Sequence, residues 1–247
     1  GLGVVNPGSL AFITGSSHLH LGLSPQAFHG QGIWGTYADA VVPGLHVVEG
    51  GQTSTGSVVS WIRRTLGNPS YEELNEEAAQ LEPGSEGVIT QEHFQGNRTP
   101  HTDPLSRGVI SGLTLKHERG HLFRATLEGI AFGTELILET MRNNGFAAET
   151  VVLAGGATRS NLWLQIHADV SNLPLTLTKV PDAPALGSAI LAAVGSGAFS
   201  DIGSAARKMV QIDRVIEPNS ETHGLYHPFY HSYREHYLAM KNARSGL

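Results

Sequence analysis

The segment that decides the fold class runs from residue 151 to residue 161 and reads VVLAGGATRSN. Its apolar start predicts a buried strand over 151–154, and the polar turn after it predicts a helix over 160–171. A second strand over 175–178 and a helix of small residues over 184–195 follow. Because parallel strands are joined by a right-handed helical crossover, this strand–helix–strand–helix order indicates an α/β sheet.

Glycine pairs such as Gly155-Gly156 either relax the backbone at a strand end or remove the side chain where a ligand approaches. Two similar segments occur elsewhere, at 15–17 after an apolar run and at 50–56, where a helix is expected to open. Neither the P-loop pattern nor the Rossmann fingerprint is present. Phosphate and adenosine bind at such element ends, so three segments in one chain predict a nucleotide site.

Periodicity and turn signals predict the elements around this core. They are strands over 10–14 and 18–23 and helices over 50–67, 71–81 and 121–144. A capping box at Ser70 supports the short acidic helix among them. An aromatic stripe near the end predicts a helical packing face. Its members are Tyr226, Phe229, Tyr230, Tyr233 and Tyr237.

Composition excludes several classes of protein. The 247 residues include no cysteine, which removes disulfides and thiolate metal sites and suits a reducing cytoplasm. The net charge of −6 and the lack of a basic stripe disfavour a nucleic-acid partner. No long apolar run predicts a membrane span. We therefore expect a cytoplasmic domain without a nucleic-acid or membrane partner.

The histidine pairs suggest a metal site, but the local sequence does not support one. Residues 117–121 spell the zincin pattern HExxH, yet Gly120 lies inside it and the helical pattern starts only at its last residue. We expect a loop there and no metal site. His18 and His20 share one strand face and are candidate ligand contacts without an identifiable third partner.

Residues 108–128, GVISGLTLKHERGHLFRATLE, closely resemble the second signature of the FGGY carbohydrate kinase family. FQGNRTPHTDP at 94–104 is similar to the family loop that precedes it, and VVEGGQTSTG at 47–56 resembles a segment of its ribulokinase-like branch. The stretches 155–170 and 185–192 are similar to the adenosine segment and the helix after it. The resemblance runs in order through nearly the whole chain.

This resemblance implies an actin-like, ribonuclease-H-like ATPase fold, with a mixed sheet flanked by helices. It implies that residues 1–247 form the C-terminal nucleotide-binding domain of a sugar kinase whose N-terminal sugar-binding domain is absent from this chain. The family's catalytic base, an Asp, is expected upstream of Gly1, so no catalytic residue is expected here. The fragment alone is therefore expected to be inactive.

The resemblance also assigns binding residues. Those expected to line the nucleotide are Gly15, Ser16, Gly56, Ser60, Gly155, Gly156, Ala157, Ser160 and Asn161. The polar adenosine partner is either of the last two. Glu49 matches a carboxylate near the sugar in ribulokinases, and its alternative interpretation is an acid that favours a helix N-terminus.

The implied activity is ATP- and Mg²⁺-dependent phosphorylation of a primary hydroxyl on a pentulose or polyol, of ribulose, ribitol or xylulose type. Family members commonly dimerise, so a homodimer is expected. The alternative is a non-catalytic nucleotide- or sugar-binding module with the same fold. A zinc hydrolase is a third hypothesis.

Overall fold

A seven-stranded mixed sheet forms the centre of the computed structural model, which describes residues 1–245. The strands are β1 (Ser9–Thr14), β2 (His18–Ser24), β3 (Gly35–Ala38), β4 (His46–Gln52), β5 (Ile89–Gln91), β6 (Val109–Ser111), β7 (Thr150–Gly155), β8 (Leu175–Thr178) and β9 (Ile212–Ile216). The order is β3-β4-β2-β1-β7-β8-β9, while β5 and β6 pair separately. β1, β7 and β8 are mutually parallel and the outer strands antiparallel, so the predicted mixed sheet is confirmed.

Helices cover both faces of this sheet. They are α1 (Gly56–Thr65), α2 (Tyr71–Ala79), α3 (Arg119–Asn143), α4 (Asn161–Ser171), α5 (Ala183–Gly195), α6 (Ile202–Met209) and α7 (Ser220–Ser245). Leu10 and Phe12 of β1 point to the face that packs against α3 and α4. Ala11 between them points to the opposite face, together with Ala154 and the start of α5.

The strand–helix–strand–helix segment is confirmed as β7–α4–β8–α5, with bounds within one or two residues of those predicted. The β1–β2 hairpin, the capping box of α2 and the long helix α3 are confirmed as well. The C-terminal stripe lies on α7, where Tyr226, Tyr233 and Tyr237 are buried. Along residues 1–245, no helix combines the length and apolar character needed to cross a membrane.

The helix predicted over 50–67 is wrong in its first six residues. β4 continues through Gly50 and Gly51 to Gln52, hydrogen-bonded to β2, and α1 begins only at Gly56. Packing explains these two glycines: a Cβ at Gly50 would lie 2.7 Å from a methyl of Ile137, and one at Gly51 would lie 2.8 Å from the His18 carbonyl. These glycines allow close packing within and against the sheet. Sequence alone does not distinguish that role from glycines at the start of a helix.

The structure tests the interpretations of the histidine pairs. α3 begins at Arg119, so the loop interpretation of 117–121 holds only for His117 and Glu118, and residues 119–121 form the first turn of the helix. His18 and His20 are buried among Phe12, Trp163 and His167, so their interpretation as ligand contacts is wrong. Burial lowers the pKa of His20 to about 3, which keeps that ring neutral.

Candidate nucleotide-binding site

The turn between β1 and β2 is the centre of the site. Gly15 donates its amide hydrogen to the Ser17 carbonyl at 2.9 Å, which closes a tight and exposed turn. The Ser16 carbonyl accepts hydrogen bonds from the amides of Thr55 at 2.9 Å and Ser57 at 3.2 Å. These bonds hold the N-terminus of α1 against the turn.

Gly56 makes this close approach feasible. A Cβ at this position would lie 2.4 Å from the Gly15 carbonyl oxygen, closer than real Cβ atoms come to backbone. α1 has no acidic residue in its first turn. The positive end of its dipole therefore faces the turn without a carboxylate to neutralise it, an arrangement that favours a bound anion.

The second glycine pair meets the same turn from the other side. A Cβ at Gly155 would lie 2.0 Å from the Thr14 carbonyl oxygen, and Gly155 has φ +107°, so only glycine fits. Thr14 donates its hydroxyl to the Ala154 carbonyl at 2.8 Å and accepts the Ala157 amide at 3.1 Å. The ends of β1 and β7 are thereby locked together.

Gly156 differs from its neighbour. A Cβ at this exposed position would meet only the Thr14 carbonyl oxygen, at 3.7 Å, an ordinary contact. Its surroundings therefore do not require glycine. A lack of side chain at an exposed position without packing need is consistent with room for a ligand.

A cleft of about 820 Å³ opens beside these turns, on the sheet face opposite α3 and α4. Gly15 and Gly155 lie on its wall, and Asp182, Pro184 and Gly187 at the start of α5 form another part of it. Most of the lining is apolar, including side chains from β1, β2 and β4. An apolar cleft with a few polar groups at one edge has the character of a small-molecule site.

The other predicted nucleotide residues have intramolecular partners. The methyl group of Ala157 is buried in the core. The Ser160 hydroxyl caps α4 by accepting the Trp163 amide, and it also donates to Asn75. The Asn161 side chain accepts from Arg214 at 2.9 Å. Ser60 lies on α1 one turn beyond Gly56, where its hydroxyl accepts from Arg64. The turn thus brings together Gly15, Ser16, Gly56, Gly155 and Gly156, whereas the side chains of the other four residues make their contacts elsewhere.

Glu49 lies on β4 and forms an ion pair with Arg98. Because β4 extends beyond it, the alternative of an acid at a helix N-terminus is wrong. Glu49 shares its sheet face with Val47, a residue that lines the cleft. The sequence does not single out Arg98, because its partner is 49 positions away and only the fold joins them.

A buried network supports the link between β4 and α1. Glu92 is 2 % exposed, and its carboxyl accepts from the Gln52 amide at 2.8 Å and the Tyr233 hydroxyl at 2.7 Å. Burial raises the pKa of Glu92 to about 7, against the smaller opposing effect of these donors. Its backbone carbonyl accepts from Ser54 at 2.9 Å. No sequence motif predicts this network, since it joins residues that are at least 38 positions apart in the chain.

Comparison with known proteins identifies the relatives of this fold. The model of the C-terminal domain of the FGGY family of carbohydrate kinases matches residues 10–196. The chain belongs to this family. An FGGY carbohydrate kinase domain-containing protein of Xenopus laevis is 34% identical over 239 residues, covering 88% of this chain and 44% of the relative. The ribulokinase of Shouchella clausii is 33% identical, with 94% and 44% covered.

Solved structures agree with the family assignment. The xylulose kinase from Rhodospirillum rubrum matches with a TM-score of 0.87 at 27% identity, covering 98% of this FGGY chain and 49% of that one. The Plasmodium falciparum glycerol kinase with ADP matches in fold, with a TM-score of 0.84 at 21% identity over 96% of this chain and 49% of its own. The fold is therefore the predicted actin-like, ribonuclease-H-like one. The chain spans about half the length of the relatives it matches.

Proposed function

We propose that this FGGY chain, residues 1–247, is the nucleotide-binding domain of an ATP-dependent sugar kinase that phosphorylates a primary hydroxyl of a pentulose or polyol. The observation that carries the proposal is the convergence of three glycine segments on the β1–β2 turn. Gly56 approaches the turn from α1, and Gly155 approaches it from β7. Both contacts exclude any larger residue.

The phosphate groups of ATP bind at the turn. The N-terminal end of α1 and the exposed backbone around Gly15 and Ser16 provide positive partial charge there. Mg²⁺, when bound with ATP, neutralises part of the phosphate charge. The exposed Ser16 hydroxyl is an oxygen ligand of the type Mg²⁺ accepts and would be available to hold the ion.

The adenosine lies against Gly155 and Gly156, between β7 and the start of α5. Both glycines are exposed, and the cleft wall opposite contains Asp182, Pro184 and Gly187. An apolar wall suits the faces of a purine ring, and the few polar groups orient it. Ala157, Ser160 and Asn161 then hold the backbone of this segment in place through their own partners.

The acceptor sugar lies on the Glu49 side of the cleft. Phosphoryl transfer requires a carboxylate that accepts the hydroxyl proton, and it depends on positioning by both halves of such an enzyme. We assign that base to the part of the kinase preceding this chain. The names of the relatives, ribulokinase and xylulose kinase, support an acceptor of the pentulose class.

The substitution Gly156→Arg in the intact kinase tests the nucleotide assignment. An arginine there has space in the domain but fills the proposed adenosine position, so we expect ATP affinity to fall at least about a hundredfold, equivalent to about 3 kcal/mol. Calorimetric titration with ATP and separately with the sugar measures both affinities. The matched control is Gly224→Arg on α7, where a Cβ meets nothing within 4 Å.

Sugar affinity should stay within about twofold in both variants, a change of under half a kcal/mol. Unchanged ATP affinity in Gly156→Arg would contradict the assignment.

A cytoplasmic location and a homodimer belong to the same proposal. Light scattering of the purified intact kinase at twice the monomer mass would support the dimer, and a monomer at micromolar concentration would contradict it.

A further inference from the structure

We infer that His223 and His227 on α7 form a surface site for one divalent transition-metal ion of the Ni²⁺ or Cu²⁺ type. The site is separate from the proposed nucleotide site, because His223 is joined to α4, on the sheet face opposite the cleft. The inference therefore does not depend on the proposed kinase function.

Helical spacing places the two imidazole rings together. Residues four positions apart lie one turn apart on the same face of an α-helix, so the side chains of His223 and His227 are neighbours. Their Nε2 atoms lie 3.0 Å from each other, and their ring centroids are 4.5 Å apart. His227 is exposed and His223 is half-buried, so an ion can reach both nitrogens from solvent.

The hydrogen bond from His223 to α4 leaves a lone pair at this point. Nδ1 of His223 lies 2.8 Å from the backbone carbonyl oxygen of Asp169. A carbonyl only accepts hydrogen bonds, so Nδ1 donates its proton, and Nε2 of the neutral ring is then unprotonated. Metal-ligating histidines are commonly oriented in this way, with the far ring nitrogen donating to a carbonyl or carboxylate.

The distances between the rings fit two ligands on one ion. A linear N–H···N bond of 3.0 Å would hold the centroids more than about 5 Å apart, so the observed 4.5 Å means that the rings are inclined to each other. Two nitrogens 3.0 Å apart, each about 2.1 Å from a shared ion, subtend an angle of about 90° at that ion. This angle is typical of the tetragonal coordination of Ni²⁺ and Cu²⁺, whereas Zn²⁺ prefers a tetrahedral angle.

The remaining ligands of this ion are water molecules. Within residues 1–245, no group of three or more histidine or acidic side chains could hold a metal ion, so the protein supplies the two imidazoles alone. Mg²⁺ prefers oxygen ligands and binds poorly to such a pair. The ion that accompanies ATP should therefore not compete for this site.

A bound ion strengthens a weak turn of α7. Pro228 lies inside this helix and has no backbone N–H, so the Gly224 carbonyl lacks its usual helical donor. His223 and His227 directly precede these two residues, so a shared ion bridges the turn in which the backbone hydrogen bond is missing. We therefore expect metal binding to stabilise the folded chain.

Calorimetric titration with NiCl₂ and with CuCl₂ tests the site, on chain 1–247 prepared without a histidine tag and freed of metal with EDTA. We expect one ion per chain with a Kd below about 100 µM, unchanged by a large excess of Mg²⁺. His223→Gln and His227→Gln each remove one of the two protein ligands, so each should weaken Ni²⁺ binding at least about tenfold.

His231→Gln is the matched control, because His231 is an exposed histidine one turn further along α7. Its Ni²⁺ affinity should stay within about twofold of wild type. With Ni²⁺ at a hundredfold excess over Kd, the melting temperature should rise by at least about 3 °C in the wild type and in the control, but not in His227→Gln. Circular dichroism of the metal-free variants verifies that they fold.

Electron paramagnetic resonance of the Cu²⁺ complex provides a readout that needs no variant. Its spectrum should show hyperfine coupling to two imidazole nitrogens, and coupling to one or none would overturn the inference. So would a lack of saturable binding at millimolar Ni²⁺ and Cu²⁺, or an Ni²⁺ affinity that falls equally in His231→Gln. Titration of the same preparations with ADP separates these outcomes from the proposed function, because a failed metal site leaves nucleotide binding unchanged.

Discussion

Adjacent glycines in this protein differ in what they tolerate. Gly155 has a positive φ and no space for a Cβ, whereas Gly156 has ordinary contact distances. We expect Gly155→Ala to destabilise the chain by about 3 kcal/mol or more, because a methyl group clashes with backbone in a strained conformation. Urea unfolding monitored by circular dichroism measures the change.

The control for Gly155→Ala is Gly224→Ala, on an exposed turn of α7 without nearby atoms. It should stabilise the chain by about 0.5–1 kcal/mol, since alanine restricts the unfolded chain more than glycine does. Equal effects of the two substitutions would contradict the packing described at the end of β7.

His20 gives the chain a specific pH dependence. Its pKa is about 3 in the folded chain and near its ordinary 6.5 when unfolded, so the unfolded state takes up a proton first as pH falls. The free energy of unfolding of the wild type should therefore fall by about 2 kcal/mol between pH 7 and pH 5 because of this residue. The variant His20→Phe should lack that loss, because a phenyl ring keeps the stacking on Phe12 but does not titrate.

Urea unfolding of both proteins at pH 7 and pH 5 gives the difference directly. Buried carboxyls such as Glu92, whose pKa is raised, contribute in the opposite direction and cancel in the comparison. A wild-type-minus-variant difference that is the same at both pH values would show that His20 titrates normally in the folded chain.

At the scale of elements, α7 is held to the domain through a polar contact as well as its aromatic stripe. The Tyr233 hydroxyl donates to the buried Glu92 carboxyl at 2.7 Å. Tyr233→Phe removes that donor and should cost about 1–3 kcal/mol. The loss of stability should be larger at pH 8 than at pH 6, because Glu92 is mostly ionised at pH 8 and a hydrogen-bond donor stabilises the ionised carboxyl more than the neutral one.

Urea unfolding at the two pH values checks this, with Leu238→Ala on the same helix as control. Leu238 is 48 % exposed, so its truncation should cost less than about 0.5 kcal/mol. If Tyr233→Phe cost no more than the control at either pH, the contact would not contribute to docking of α7.

Elements differ in how far their sequences determine them. The β7–α4–β8–α5 unit and the β1–β2 hairpin follow from local periodicity and turn residues, and the structure agrees with both. The strands β3 and β9 carry no strong local signal, because short edge strands bury few residues. Local sequence predicts a helix start at Gly50, because the packing partner that requires this glycine, Ile137, is distant in the chain.

The candidate site likewise contains features that local sequence predicts and features that depend on residues distant in the chain. Its glycine turns were predicted, since a strand end followed by glycine is a local pattern. The ion pair of Glu49 with Arg98 and the Glu92 network were not, because each joins segments at least 38 positions apart. Local sequence therefore predicts the proposed nucleotide side of the candidate site better than the proposed sugar side.

At the scale of the whole molecule, the chain corresponds to about half of the kinases it matches. Transfer of phosphate needs groups from both halves of the proposed enzyme. Purified chain 1–247 should therefore bind nucleotide but show no turnover with ATP and ribulose or ribitol. A coupled assay for ADP release measures this, and turnover above the level of a mock purification would contradict the division of roles.

The most direct test of the nucleotide site is a backbone-amide NMR titration of chain 1–247 with ADP. The account predicts saturable shifts at Ser16, Gly56, Gly155 and Gly156, which converge on the β1–β2 turn. Amides at Gly67 and Gly224, where no neighbouring group lies within 4 Å of a Cβ, should not shift. Saturable shifts confined to another surface, or none at these four residues at millimolar ADP, would contradict it.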